Sequence, residues 1–220
     1  MMEGFDFSVL PDYADVLWQG TIWTVALTVA AAILSFLGGI GFAVAVLRGS
    51  WVVRQPVRFL AWLFMGTPLL LQLFLIYFGL VQIGIDIPAF AAGVIGLGLH
   101  YAVYNADVIR AGIMAVDRGQ DDGARSLGFS RGQTFRWIIL PQALRTVAPP
   151  LGNNLIALLK DSAIVSVIGV AELVHAAQYA ISDSFRPFEF YLAAAVIYYL
   201  LNTLLEWGLR LFERKAEATR

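Results

Sequence analysis

The chain contains no cysteine, which excludes disulfides, thiolate metal sites and a cysteine nucleophile. Charge is scarce too. Asp, Glu, Lys and Arg make up 14% of the 220 residues, against about 25% in an ordinary globular domain. The formal net charge is −1, so the basic surplus of a general nucleic-acid binder is missing and no nucleic-acid partner is expected. Only two lysines occur, Lys160 before Asp161 and Lys215 before Ala216. Neither belongs to the Gly-x-x-x-x-Gly-Lys-Ser/Thr loop that cradles a nucleotide's phosphates, so the chain has no ATPase motif of that kind. HExxH and GxSxG are absent, and the histidines, His100 and His175, stand 75 residues apart. No enzymatic activity, metal site or cofactor is expected in this chain. Low-complexity stretches and internal repeats are also lacking. The opening MMEGFDFSVLPDYADVLW has four acids and no base, where a cleavable signal peptide needs a positive start. The apolar run that follows is expected to stay in the protein.

What the chain has in excess is apolar surface. Residues AVILMFWYC make up 59%, and the mean hydropathy is +0.73. No soluble core hides that much, so lipid is the expected solvent. A helix needs about 20 apolar residues to cross a ~30 Å hydrocarbon layer. Residues 18–47, 59–85 and 87–106 are each free of formal charge. A fourth stretch, 146–171, is interrupted by Lys160 and Asp161, and a fifth covers 190–205. The expectation is an all-α integral membrane protein, one domain over 1–220. Its five transmembrane helices lie at about 18–47, 59–85, 87–109, 144–171 and 189–212. Five spans do not divide into two equal inverted halves, unlike many secondary-transporter designs.

Orientation follows from the bases, which favour cytoplasmic loops. With the N-terminus outside, segments 48–58, 107–145 and 206–220 are inside and hold thirteen of the fifteen Lys and Arg. Only Arg186 falls outside, and Lys160 lies within helix four. The outer segments carry Glu3, Asp6, Asp12, Asp15, Asp86, Glu172, Asp183 and Glu189. An outside N-terminus and a cytoplasmic C-terminus are therefore expected. Trp18, Trp23, Trp51, Tyr191 and Trp207 read as interfacial anchors.

The inner segment between helices three and four is polar yet ordered in its local signals. Asp117 suits a helix start. Gly128 suits a left-handed helix end, with Phe129 as the accompanying apolar contact. Ser130 and Gln133 fit a capping box opening a second helix at Arg131. That helix is expected to stop near Pro141, because the residue before proline is pushed from helical angles. Helix, glycine turn, helix over 117–141 is either a grip for another protein or a solvated connector.

The run Gly119-Gln-Asp-Asp-Gly-Ala-Arg-Ser-Leu-Gly128, followed by Phe135 and Ile139-Leu140-Pro141, resembles the EAA signature of ABC-transporter permease subunits. Tyr104-Asn-Ala-Asp-Val-Ile-Arg-Ala-Gly-Ile113, Pro141-Gln-Ala-Leu-Arg145 and Leu158-Leu-Lys-Asp-Ser-Ala-Ile-Val-Ser-Val-Ile-Gly169 are similar to the polar amino-acid uptake subfamily. Asp122-Gly123-Ala124 stands where that family usually has Glu-Ala-Ala, and Asp107 where glutamate is common. The resemblance implies a multi-pass subunit of a bacterial inner membrane that forms the translocation pathway of an ATP-driven amino-acid importer. It further implies a dimer with an identical or similar permease, two separate ATPase subunits that bind ATP and Mg, and an extracytoplasmic binding protein. Asp122, Gly123, Ala124, Leu127, Gly128 and Phe129 would meet the ATPase, and 117–141 would be the coupling loop.

Ionisable groups within a span are costly and face a bundle interior or a wet cavity. Lys160 and Asp161 point about 100° apart on a helix. One of them meets a neighbouring helix, a ligand or a second subunit, or fixes packing as an ion pair. Asp107 and Arg110 share a face and suit a local salt bridge, while the resemblance sets Asp107 beside the translocation route. Asp107, Lys160, Asp161 and Asn154 are the candidate substrate contacts. His100 suits a neutral, hydrogen-bonded residue of the bundle better than a ligand. Glu172 and His175 belong to the outer mouth. Gly38, Gly39, Gly41, Gly93, Gly96 and Gly98 suit close helix approach in lipid. An ion-coupled secondary transporter or channel, using the in-membrane charges as a relay, and a non-transporting scaffold remain as other classes.

Overall fold

The first charge-free run forms one helix, α1 (Ala14–Arg48), entered through a 3-10 turn at Phe7–Tyr13. At about 1.5 Å per residue it is longer than the hydrocarbon layer is thick. In the computed structural model, α2 (Trp51–Gly66), α3 (Leu69–Gln82) and α4 (Ala89–Met114) follow. Then come α5 (Arg118–Ser126), α6 (Arg131–Ile168), α7 (Leu173–Ser184) and α8 (Pro187–Ala218). The structure describes residues 5–218, and side chains through Leu211. Glu3 and Arg220, and the side chains of Arg214 and Lys215, lie outside the described residues. Among the described residues there is no strand. Helices α1, α4, α6 and α8 are each long and apolar enough to cross a membrane, and α2 with α3 makes a fifth span if counted as one.

Three expectations need correction. The second span is not one helix over 59–85. Its halves, α2 and α3, are turned by 117°. Pro68 disfavours helical angles at the residue before it, and Thr67 is extended at φ −124°, ψ 146°. The carbonyls left open at the end of α2 are met by a side chain. Gln72 Nε2 donates to Phe64 O at 2.8 Å and to Thr67 O at 2.9 Å.

Nor does the helix opened at Arg131 stop near Pro141. It continues as α6 to Ile168, so the expected start of the fourth span at 144 is thirteen residues late. A π-helical turn at Phe135–Ile139 precedes the proline, and Pro141 falls at the first positions of the regular helix after it. Leu140 N there donates to Phe135 O, five residues back, and this wide turn lets the continuing helix take in a residue without an N–H. At the other end, α-helix gives way after Asp161 to a 3-10 turn, Ser162–Ile168, closed by Gly169 at φ 83°. Finally, the segment between spans four and five holds a helix of its own, α7.

Helix α1 packs most extensively along α4. The approach is close: a Cβ on Gly39 would stand 2.7 Å from Asn105 Cβ, and one on Gly98 would stand 2.5 Å from Leu34 Cδ2. Gly38, Gly93 and Gly96 also face side chains, whereas Gly41 has nothing within 4 Å and plays no such part. One apolar cluster joins Leu27, Leu73, Leu97, Leu158 and Val165 from α1, α3, α4 and α6. A second joins Leu17, Leu173, Ala177 and Phe190 from α1, α7 and α8.

Candidate functional site

Three polar regions stand out against this apolar bundle. The first is the elbow between α4 and α6. Asp117 Oδ1 accepts from Gly119 N at 2.7 Å, opening α5. The helix closes on Gly128, whose φ is 88°. Gly128 N donates to Arg125 O at 3.0 Å, and Phe129 N to Ala124 O at 3.1 Å. Ser130 then opens α6 with both halves of the capping box: Ser130 N donates to Gln133 Oε1 at 2.8 Å, and Gln133 N to Ser130 Oγ at 3.4 Å. All three local expectations hold. Asp122, Gly123, Leu127, Gly128 and Phe129 are exposed, with Leu127 at 81%, while Ala124 is buried. Gly123, Leu127 and Phe129 line a shallow groove with Ile138 of α6. Arg48, ending α1, lies 4.5 Å above the Phe135 ring and ties the elbow to the bundle.

The second region is a polar seam between α4 and α6. Asn154 Nδ2 donates to Asn105 Oδ1 at 2.9 Å, and Asn105 Nδ2 donates to Ser35 Oγ of α1 at 3.2 Å. Two helical turns further along α6, Asp161 Oδ2 accepts from the Tyr101 hydroxyl at 2.6 Å. Tyr101 and Asn105 lie one turn apart on α4, so the two bonds stack along a single helix contact. Asp161 thus meets a neighbouring helix through a tyrosine rather than an ion pair, and Lys160 beside it is exposed. Asp107 is two residues beyond Asn105 and therefore on another face of α4, where Arg110 Nη2 holds it at 2.7 Å. Within one chain, Asn154 and Asp161 share the seam, while Asp107 and Lys160 face elsewhere. His100 Nδ1 lies 2.9 Å from Gln72 Oε1, a hydrogen bond within the bundle.

A third junction lies between α6 and α7. Glu172 is fully buried. Its carboxylate caps α7 by accepting from Val174 N and His175 N, each at 2.9 Å, and from the Tyr198 hydroxyl of α8 at 2.9 Å. Burial pushes its carboxyl above the ordinary glutamate value, and these donors pull the other way. Leu173 N donates to Thr24 Oγ1 of α1 at 3.0 Å, so three helices meet here.

Gln72, Tyr101, Asn105 and Tyr198 were not expected as partners. Gln72 is one of two amides, with Gln82, in the apolar run 59–85, and Tyr101 with Asn105 shows the four-residue spacing of one face. Those were the available signals.

Apolar helices of membrane-spanning length with polar groups turned inward, joined to an exposed elbow, make a polytopic membrane subunit. Residues 35–218 match the family described as the binding-protein-dependent transport system inner membrane component. The chain belongs to that family, and is a multi-pass inner membrane subunit of a transporter that also uses an ATPase and a substrate-binding protein. It is 39% identical over 207 residues to a protein of Vibrio harveyi named probable amino-acid ABC transporter permease protein PatM, covering 92% of each chain. It is 35% identical over 214 residues to the arginine transport system permease protein ArtQ of Bacillus subtilis (strain 168), covering 97% of this chain and 98% of that one. Among solved structures, a subunit of an amino acid ABC transporter with histidines superposes with a TM-score of 0.91 at 41% identity, covering 96% and 99% of the two chains. The MetNI methionine ABC transporter shares the fold, with a TM-score of 0.76 at 20% identity.

Proposed function

We propose that this permease subunit carries amino acids inward, pairing with a second, identical or similar permease to enclose the pathway. Two ATPase subunits dock, one on the elbow of each permease, and bind the ATP and Mg, and an extracytoplasmic binding protein delivers substrate. The single observation that carries this reading is the elbow itself. Its three caps make a fixed, exposed knuckle, and its second arm is the same continuous helix, α6, that bears Asn154, Lys160 and Asp161. A push on Asp122, Leu127 and Phe129 therefore moves the polar seam as a lever moves. The N-terminus lies outside and the C-terminus in the cytoplasm, since this arrangement puts the elbow and nearly all bases on the ATPase side.

Substrate passes the seam bearing Asp161 and Asn154, whereas Asp107, held by Arg110, and Lys160 face away from it. A carboxylate there suits the ammonium group of an amino acid, and the asparagine amides suit its carboxylate. Gentle extraction from the native membrane, followed by intact-complex mass spectrometry, tests the assembly. The expected result is two permeases with two copies of a P-loop ATPase. A complex that survives mild conditions with no ATPase would favour an ion-coupled transporter, with the elbow as its gate.

A further inference from the structure

We propose that the cleft between α1, α2 and α4 binds the headgroup of an anionic phospholipid. A cavity of about 530 Å³ opens there. Its lining holds three arginines, Arg54 and Arg58 of α2 and Arg110 of α4, and one carboxylate, Asp107. That carboxylate is engaged by Arg110 at 2.7 Å. Among the described residues, no acid pairs with Arg54 or Arg58. Arg54 is positioned by its own backbone, Nη2 donating to Gly49 O at 3.2 Å, yet its Nε is buried without an acceptor. A buried guanidinium N–H without a partner is costly, and a phosphate oxygen is an acceptor that guanidinium geometry suits.

The placement selects a lipid over a free anion. Arg54 and Arg58 sit in the first two turns of α2, and Met114 at the cavity edge closes α4. The charges thus gather where α1 ends, α2 begins and α4 ends, the end of the cleft that reaches headgroup depth. Beyond them, Ala61 and Met65 continue the same cavity wall, three and seven residues past Arg58. One face of α2 is basic at its start and apolar further on, which is the order of a phospholipid from phosphate to acyl chain. Basic pockets between spans hold anionic headgroups by this chemistry.

The test is intact-complex mass spectrometry of the purified transporter in micelles doped with either phosphatidylglycerol or phosphatidylethanolamine. The wild type is expected to retain phosphatidylglycerol over phosphatidylethanolamine. Arg58 is exposed and unpaired, so its variants should assemble normally. Arg58→Gln is expected to lower phosphatidylglycerol retention about fivefold, the effect of one basic residue near a headgroup. Arg58→Lys should keep it. Equal retention by Arg58→Gln, or no preference for the anionic lipid, would overturn the proposal. So would displacement of the bound lipid by millimolar inorganic phosphate, which marks a small-anion site. Complete absence of lipid adducts would point to a second protein chain covering the cleft, and would overturn it too.

Discussion

The elbow and the Glu172 junction are both held by hydrogen-bonded caps, yet they are built in opposite ways. At the elbow the capping bonds are local. Asp117 reaches Gly119, Gly128 reaches Arg125 and Ser130 exchanges bonds with Gln133, all in water-exposed chain. At Glu172 the carboxylate is fully buried, and the junction also ties in Tyr198, 26 residues away, while Leu173 bonds Thr24, 149 residues away. A surface that must present one shape to a partner carries its own support. A junction among α1, α7 and α8 exists only while those helices keep their places. The elbow is therefore held by its own segment, and the Glu172 junction by the packing of three helices.

That contrast predicts unequal mutational costs. Glu172→Ala strips two backbone N–H groups and a tyrosine hydroxyl of their acceptor in a buried site. It should destabilise the purified protein by about 3 kcal/mol or more. A thermal melt in detergent reads this, and Glu172→Gln, which keeps an acceptor oxygen, should recover part of the loss. Next in size is Gln72→Leu, which leaves the carbonyls of Phe64 and Thr67 open at the bend, at a cost of about 2 kcal/mol. Its melt should fall while Gln72→Glu, which keeps neither the amide donor nor neutrality, falls further. The smallest effect has the opposite sign. A Cβ at Gly123 would meet nothing within 4 Å, so Gly123→Ala should firm α5 by roughly 0.5–1 kcal/mol. Slower amide exchange across Arg118–Ser126 would register it, with no change elsewhere in the chain.

The same division between local and long-range support explains what was legible in the sequence. Asp117, Gly128, Ser130 and Gln133 act within a few residues, so their caps could be named from residue type and spacing. The apolar runs gave the spans, because lipid demands length. The bend at Thr67–Pro68 was hidden inside such a run: its proline signal was present, but its compensation comes from Gln72 folding back across the break. Pro141 misled in the other direction, since a π-turn just upstream let the helix absorb it. Helix α7 escaped because glutamate is an uncommon cap, and Glu172 succeeds through Tyr198 and the desolvated site. Asp161 and Asn154 were recognisable as misfits in a span. Their partners Tyr101 and Asn105 lie on another helix, and nothing in spacing along the chain connects them.

In the proposed function the elbow transmits force from a docked ATPase to α6. Gly128→Val tests it most directly, because valine at φ 88° is strained while the position itself is sterically open. The measurement is substrate taken up per ATP hydrolysed, in proteoliposomes containing the assembled transporter. The account predicts that hydrolysis persists while uptake per ATP collapses. Uptake per ATP equal to that of the wild type would contradict it.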